Sequence, residues 1–151
     1  MASGADRSDL LGPSQNGSVP SDAPIDVVAL VVADGGGRWL QIRRGAAVTY
    51  PGRLCFPGGT VEPDEAIATA LIRESAEELG LTAVPQRELT VATLGDVTVH
   101  AWECDVSGAL VPDRREVAEV LWLTTSQIMA HPDAMPSSLI ICAALGRSRS
   151  T

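Results

Sequence analysis

Residues 59–81, GTVEPDEAIATALIRESAEELGL, constrain this chain more than any other stretch. They follow Pro57 and Gly58, and neither Pro nor Gly interrupts residues 65–79. Ala, Leu and Glu dominate that run, and all three favour helix. Asp64 stands before it as a candidate N-cap. Gly80 falls where a left-handed C-cap belongs. The pattern predicts one helix over 65–79, entered through a Pro-Gly-Gly turn.

Around a helix at about 100° per residue, Ala68, Ile72, Ala76 and Leu79 share one face, with Ser75 at its edge. Glu74, Glu77 and Glu78 cluster opposite, about 5–6 Å apart. Carboxylates that close repel and raise one another's pKa. Arg73 is adjacent but cannot neutralise three charges. A divalent cation can, since hard cations such as Mg2+ take carboxylates, waters and substrate phosphates as oxygen ligands. Three glutamates alone would read as a solvated face, because charges ordinarily stay in water.

The other fixed positions change that reading. Gly59, Glu65, Arg73, Glu74, Glu77, Glu78 and Gly80 together resemble the Nudix box, G-x5-E-x7-R-E-U-x-E-E-x-G-U, where U is a bulky aliphatic residue. At about 7% per fixed residue, chance produces this on the order of 10⁻⁸ per start position. One position departs: Ser75 stands at the first U, while Leu81 fills the last. Ser75 borders the expected buried face, so the departure bears on packing more than on chemistry. Looser resemblance runs over 25–128, through Phe56-Pro57-Gly58-Gly59 and a late Glu119-x-x-Trp122.

Composition narrows the classes. A length of 151 residues suits one domain with a proper core. No apolar run reaches a membrane span, and the N-terminal residues lack a signal pattern, so a cytoplasmic protein is expected. The net charge of -8 argues against duplex nucleic acid, whose binders show a basic face. All eleven basic residues are Arg, so an anionic substrate is to be held by Arg, backbone amides and metal. Cys55, Cys104 and Cys142 are too scattered for zinc or a disulfide framework. They are expected to be reduced and buried, although Cys55 lies near the box.

Along the chain, residues 1–23 are rich in Ser, Gly, Asp and Pro and read as a disordered leader. Residues 24–146 read as the domain, and 147–151 as a flexible tail. Residues 25–33 form a buried strand, 34–37 a turn and 38–44 a second strand, which together should make a hairpin. Residues 54–56 form a short strand feeding the Pro-Gly-Gly turn, whose glycines let backbone approach a ligand closely. Residues 82–88 read as a connection, 89–94 and 97–106 as strands, 107–115 as a polar loop and 117–123 as a strand. Thr124 or Thr125 caps a short helix that Pro132 ends, and a last helix covers 139–145. The order β-β-β-α-β-β-β-α-α suits a mixed sheet covered by helices on two faces. This is also what the resemblance implies, a single-domain α/β/α sandwich.

The resemblance implies hydrolysis of a nucleoside diphosphate linked to another moiety, dependent on Mg2+ or Mn2+. Glu74, Glu77 and Glu78 match its metal-binding carboxylates, and the Gly59 carbonyl matches a further ligand. Glu74 is also the general base in some members; in others a later loop supplies it, and Glu116 and Glu119 are the candidates here. Arg73 would orient a catalytic carboxylate, which is compatible with pairing to Glu77 at i, i+4. Glu65 would steady the loop and the helix start. Arg43, Arg44 and Arg53 flank the site and can fork onto phosphate. Tyr50 is available to stack on a base, while Phe56 and Trp122 are expected in the core. His100 reads as a strand side chain and His131 as a helix end.

The subgroup patterns for dinucleoside polyphosphates and NADH are missing, and that for coenzyme A is partial. A (deoxy)nucleoside triphosphate or similar small nucleotide therefore leads, with a coenzyme A-type or nucleotide-sugar diphosphatase as the alternative. A non-catalytic nucleotide-sensing module is the alternative of another class, opposed by the retained glutamates. Isomerase chemistry on a prenyl diphosphate would need a catalytic Cys, and Cys55 stands outside the turn. Related proteins often pair as homodimers, but no stretch here marks an interface.

Overall fold

The structure is a computed structural model that describes residues 23–149. All of the expected leader except Ala23, and the last two residues of the chain, lie outside the described residues. The elements are β1 (Ile25–Val31), β2 (Trp39–Arg44), β3 (Leu54–Cys55), β4 (Gly58–Thr60), α1 (Ile67–Leu79), β5 (Thr82–Leu94), β6 (Val97–Ser107), β7 (Val117–Leu123), α2 (Thr125–Ala130) and α3 (Pro136–Arg149).

The strands form two sheets, ordered β4-β1-β6-β5 and β3-β2-β7. β1 runs parallel to β6, and β4 and β5 are antiparallel to their neighbours, so the larger sheet is mixed. From Val27 to Val31, β1 is a continuous apolar run because both its faces are covered there. Val28 and Leu30 join a cluster with Ala70, Leu71 and Leu79 of α1. Ala29 and Val31 join another with Ile128 of α2 and Ile141, Cys142 and Leu145 of α3. Helices thus cover two faces, which is the expected α/β/α sandwich. Cys55, Cys104 and Cys142 are buried and free.

Four local expectations are corrected. β1 and β2 do not form a hairpin ladder; they meet at the Ala33–Trp39 bridge and at Leu40 N–H on the Val32 carbonyl, then part into different sheets. Residues 39–42 of β2 are all buried, flanked in the sheet by β3 and β7, with Leu40 and Ile42 in the cluster with α1 and Trp39 in the cluster with α2 and α3. Residues 82–88 are not a connection but the first half of β5. Register shifts at Pro85/Arg87 and Glu88/Thr90 let the strand carry Pro85 without losing its pairing to β6. Trp122 is 38% exposed rather than in the core, whereas Phe56 is buried as expected. Finally, α3 starts at Pro136 and continues through Gly146 to Arg149, where a tail was expected. Pro at the first helical position is favourable because its missing N–H has no partner to lose there.

The Pro-Gly-Gly segment is also not a tight turn. Gly58 and Gly59 lie in β4, opposite Ala29 and Val28. Neither has a positive φ. Glycine is required there by closeness: a Cβ on Gly58 would overlap the Val28 carbonyl, and one on Gly59 would overlap the Glu74 carboxylate. Because Gly58 meets rigid backbone, Gly58→Ala should destabilise the protein by about 3 kcal/mol or more. Wild-type-like urea unfolding of that variant would contradict the close approach.

Candidate active site

α1 presents a different face to the core from the one its apolar residues suggest. Its buried residues are Ala70, Leu71, Glu74, Ser75, Glu78 and Leu79. Ala68 and Ala76 are exposed, as is Ile72 at 45%. Two of the three box glutamates therefore point inward. Ser75, expected at the border, is fully buried, and its Oγ has no hydrogen-bond partner among the described residues. The C-cap is as expected: Gly80 is left-handed at φ 71 and donates to the Ala76 carbonyl. The N-cap is not. Asp64 has φ 62 within the preceding loop, and Ala66 holds the cap position without a side-chain bond.

Arg73 organises that loop. Its Nε donates to Glu65 Oε2 at 2.7 Å, and its Nη2 to Glu65 Oε1 at 2.9 Å. Nη2 also reaches the Thr60 carbonyl at 3.0 Å. Nη1 donates to Glu74 Oε2 at 3.1 Å and to Glu77 Oε1 at 3.2 Å. Arg73 thus pairs with Glu77 at i, i+4 and reaches Glu74 as well. Glu65 also accepts from the Glu62 N–H at 2.9 Å. The paired Arg73 guanidinium holds the Glu65 carboxyl below the usual range.

Glu78 accepts from the Gly58 N–H at 2.9 Å. Burial pushes Glu78 well above an ordinary carboxyl, and Glu74 adds to it; the Gly58 amide and then Arg44 pull the other way. Burial likewise pushes Glu74 up to about 7, against the opposing pull of Arg73. Glu116, on the segment before β7, feels partial burial first, then Asp113 and Glu77, and is also raised. Glu74, Glu77, Glu78 and Glu116 thus act on one another's charge. Glu119 faces elsewhere, paired with Arg43 at 3.2 Å.

The flanking arginines already serve protein acceptors. Arg43 donates to the Gly52 carbonyl at 2.9 Å and to Asp133 Oδ2 at 3.0 Å. Arg44 donates to the Thr49 carbonyl at 2.5 Å, to Thr49 Oγ1 at 3.1 Å and to Cys55 Sγ at 3.9 Å. Arg53 donates to the Asp133 and Ala134 carbonyls at 3.0 and 3.1 Å. Arg43 and Arg53 thereby hold the loop between β2 and β3 against the α2–α3 connection, while Arg44 braces the loop itself. Tyr50 sits in that loop, 65% exposed, at φ 53. The Cys55 thiol is raised by burial, which suits a packing role. Sequence reasoning missed Gly45, Asp113 and Asp133, whose roles depend on partners remote in the chain.

The oxygen set of Glu74, Glu77, Glu78 and the Gly59 carbonyl suits a hard divalent cation. Acids raised first by burial and then by one another's charge mark a place where positive charge is lacking, and a dication would supply it. Among the described residues no three acid side chains already converge on one point. Glu74 meets Arg73 through Oε2 and Glu78 meets the Gly58 amide through Oε1, so those bonds leave the other oxygen of each carboxyl to turn to a cation.

Without metal, the folded Glu74 carboxyl titrates near 7, against 4.5 ordinarily. The folded chain binds the extra proton between those values, so its stability falls as pH rises through that window. In chelator, wild type should lose about 3 kcal/mol relative to Glu74→Gln as pH rises from about 4.5 to 8. Urea unfolding across pH measures this; a difference that stays flat would show that Glu74 is not a strained acid.

Comparison with known proteins identifies relatives of this chain. The NUDIX domain family model matches residues 23–143. The uncharacterized Nudix hydrolase YfcD of Salmonella typhi is 36% identical over 117 residues, 73% of this chain and 64% of that protein. The chain therefore spans less than two thirds of that relative's length. CTP pyrophosphohydrolase of Escherichia coli K12 is 33% identical over 116 residues, 72% of this chain and 82% of that one. The solution structure of the E. coli ORF135 protein superposes with a TM-score of 0.72 at 28% identity, covering 85% of this chain and 92% of the other. The MutT protein from Methanosarcina mazei Go1 shares the fold with the same TM-score at 24% identity, over 87% of this chain and all of that one. With its box, its fold and these relatives, the chain belongs to the Nudix family.

Proposed function

We propose that the chain is a divalent-cation-dependent pyrophosphohydrolase acting on a (deoxy)nucleoside triphosphate or a similarly small nucleotide. The observation that carries this is the burial of Glu74 and Glu78 beneath β4, beside Glu77, with their negative charge incompletely offset. Similarity to a protein named CTP pyrophosphohydrolase, over most of its length, supports the nucleotide class.

Glu74, Glu77, Glu78 and the Gly59 carbonyl would hold Mg2+ or Mn2+. When bound, such a cation polarises a phosphoryl oxygen and lowers the pKa of a coordinated water. Arg73 then serves to orient Glu74 and Glu77 rather than to touch substrate. Glu116 takes the proton from the attacking water. The reasons are that Glu74 is engaged by Arg73 and Glu119 by Arg43, whereas Glu116 shares the field of the box acids and, among the described residues, forms no ion pair with an arginine. Glu78 feels the charge of Arg44, which favours Arg44 over Arg43 and Arg53 as a phosphate contact. Exposed Tyr50 stacks on the base. Free, buried thiols fit a cytoplasmic setting, and no helix among the described residues is long and apolar enough to cross a membrane.

A panel of ribo- and deoxyribonucleoside triphosphates, nucleotide sugars and coenzyme A with Mg2+ or Mn2+ tests this. A triphosphate should be cleaved to mononucleotide and diphosphate. Glu77→Gln should lower turnover by several orders of magnitude while keeping the fold. Glu116→Gln should lower kcat by about 10²–10⁴-fold, and Glu119→Gln should change it little. No cleavage of any compound, or full turnover in Glu77→Gln at saturating cation, would refute the reading.

A further inference from the structure

Residues 108–116, between β6 and β7, lie across the C-terminal end of α1. The Val111 N–H donates to the Leu79 carbonyl at 2.8 Å and the Asp113 N–H to the Glu78 carbonyl at 2.9 Å. Carbonyls that a helix leaves without partners are thereby satisfied from this segment. Asp113 then closes a turn. Its carbonyl accepts from the Glu116 N–H at 3.0 Å and the Val117 N–H at 2.8 Å. Its carboxylate accepts from the Arg115 N–H at 3.0 Å. One residue thus grips Glu78 through its amide and Glu116 through its carbonyl.

Gly45, just after β2, closes on the segment from the other side. Its N–H donates to the Glu116 carbonyl at 2.8 Å. A Cβ there would lie 2.6 Å from the Arg115 carbonyl oxygen and 3.1 Å from the Glu116 carbonyl carbon. Only glycine lets the backbones come that close.

We propose that Asp113 is a positioning residue which, with Gly45, fixes the offset of Glu116 from Glu74 and Glu78. This rests on the reading that Glu116 takes the proton from the attacking water. Asp113 reaches the reaction only through Glu116 and the helix end. The backbone contacts survive a change of side chain, but the carboxylate that holds the turn at the Arg115 amide does not, so its loss loosens Glu116, lowers kcat and leaves substrate affinity nearly unchanged.

The test measures kcat and KM for Asp113→Ala, Asp113→Asn and Gly45→Ala, each alone and combined with Glu116→Gln, using the nucleotide and cation found in the panel. Asp113→Ala and Gly45→Ala should each lower kcat by about 10- to 100-fold, with KM little changed. Asp113→Asn, which keeps an oxygen for the Arg115 amide, should recover most of that loss. Neither Asp113→Ala nor Gly45→Ala should reduce kcat further once Glu116 is Gln, since residues acting as a unit are not additive. If Asp113→Ala does not fold, Gly45→Ala and Asp113→Asn decide the matter in the same two backgrounds. Full kcat in the perturbing variants, or losses that multiply with that of Glu116→Gln, overturns the positioning role alone. Wild-type kcat in Glu116→Gln overturns the base assignment, and the positioning role with it.

Discussion

The structure depends on two carboxylates being buried on the inward face of α1. Glu74 and Glu78 share that face with Leu71 and Leu79, so helix docking and acid burial are one event. Taking a carboxylate out of water costs several kcal/mol unless it is paired and hydrogen-bonded. Arg73 and the Gly58 amide supply part of the compensation. The raised acids show that the compensation stops short. Such a shortfall is typical of a site tuned for a ligand rather than for stability alone. It also explains the glycines of β4, since their backbone must come down onto Val28 and Glu74 with no side chain between.

The same requirement accounts for the loop before α1. Glu65 does not cap the helix; it takes both arms of Arg73, whose remaining nitrogen reaches Glu74 and Glu77. A planar fork with fixed donors can serve three carboxylates and the Thr60 carbonyl at once, where an ammonium group could not. The spacing of Glu65 and Arg73 in the box is therefore a geometric matter. The seven residues between them carry the chain from the loop through nearly two turns of helix, so that the two side chains face each other.

Features set by neighbouring residues were legible in the sequence. The end of α1 at its Gly80 cap, β7 and the Thr124-capped α2 all follow from local propensity and capping chemistry. The rotation of α1 was not legible, because Ala68, Ile72 and Ala76 look like a core face to any hydropathy count. Their exposure follows from Gly58 and Gly59 drawing Glu74 and Glu78 inward, a choice made across β4 rather than along the helix. Glu116 and Glu119 looked equivalent for a similar reason. What separates them is Arg43, 76 positions away in sequence from Glu119. Gly58 and Gly59 read as a turn because glycine signals freedom of φ, whereas here it signals absence of a Cβ.

The charge balance has a consequence for binding. The chain carries -8 overall, and Arg43, Arg44, Arg53 and Arg73 all donate to protein groups. A bare triphosphate approaching Glu74, Glu77, Glu78 and Glu116 either meets like charge, which costs several kcal/mol, or finds Glu74 and Glu78 held protonated by their burial. A cation between the two removes that repulsion from both sides. On the proposed reading, cation and nucleotide therefore strengthen each other's binding, and by linkage they do so by the same factor. The protein needs no strongly basic pocket, because the metal that activates water also carries the positive charge that the pocket lacks.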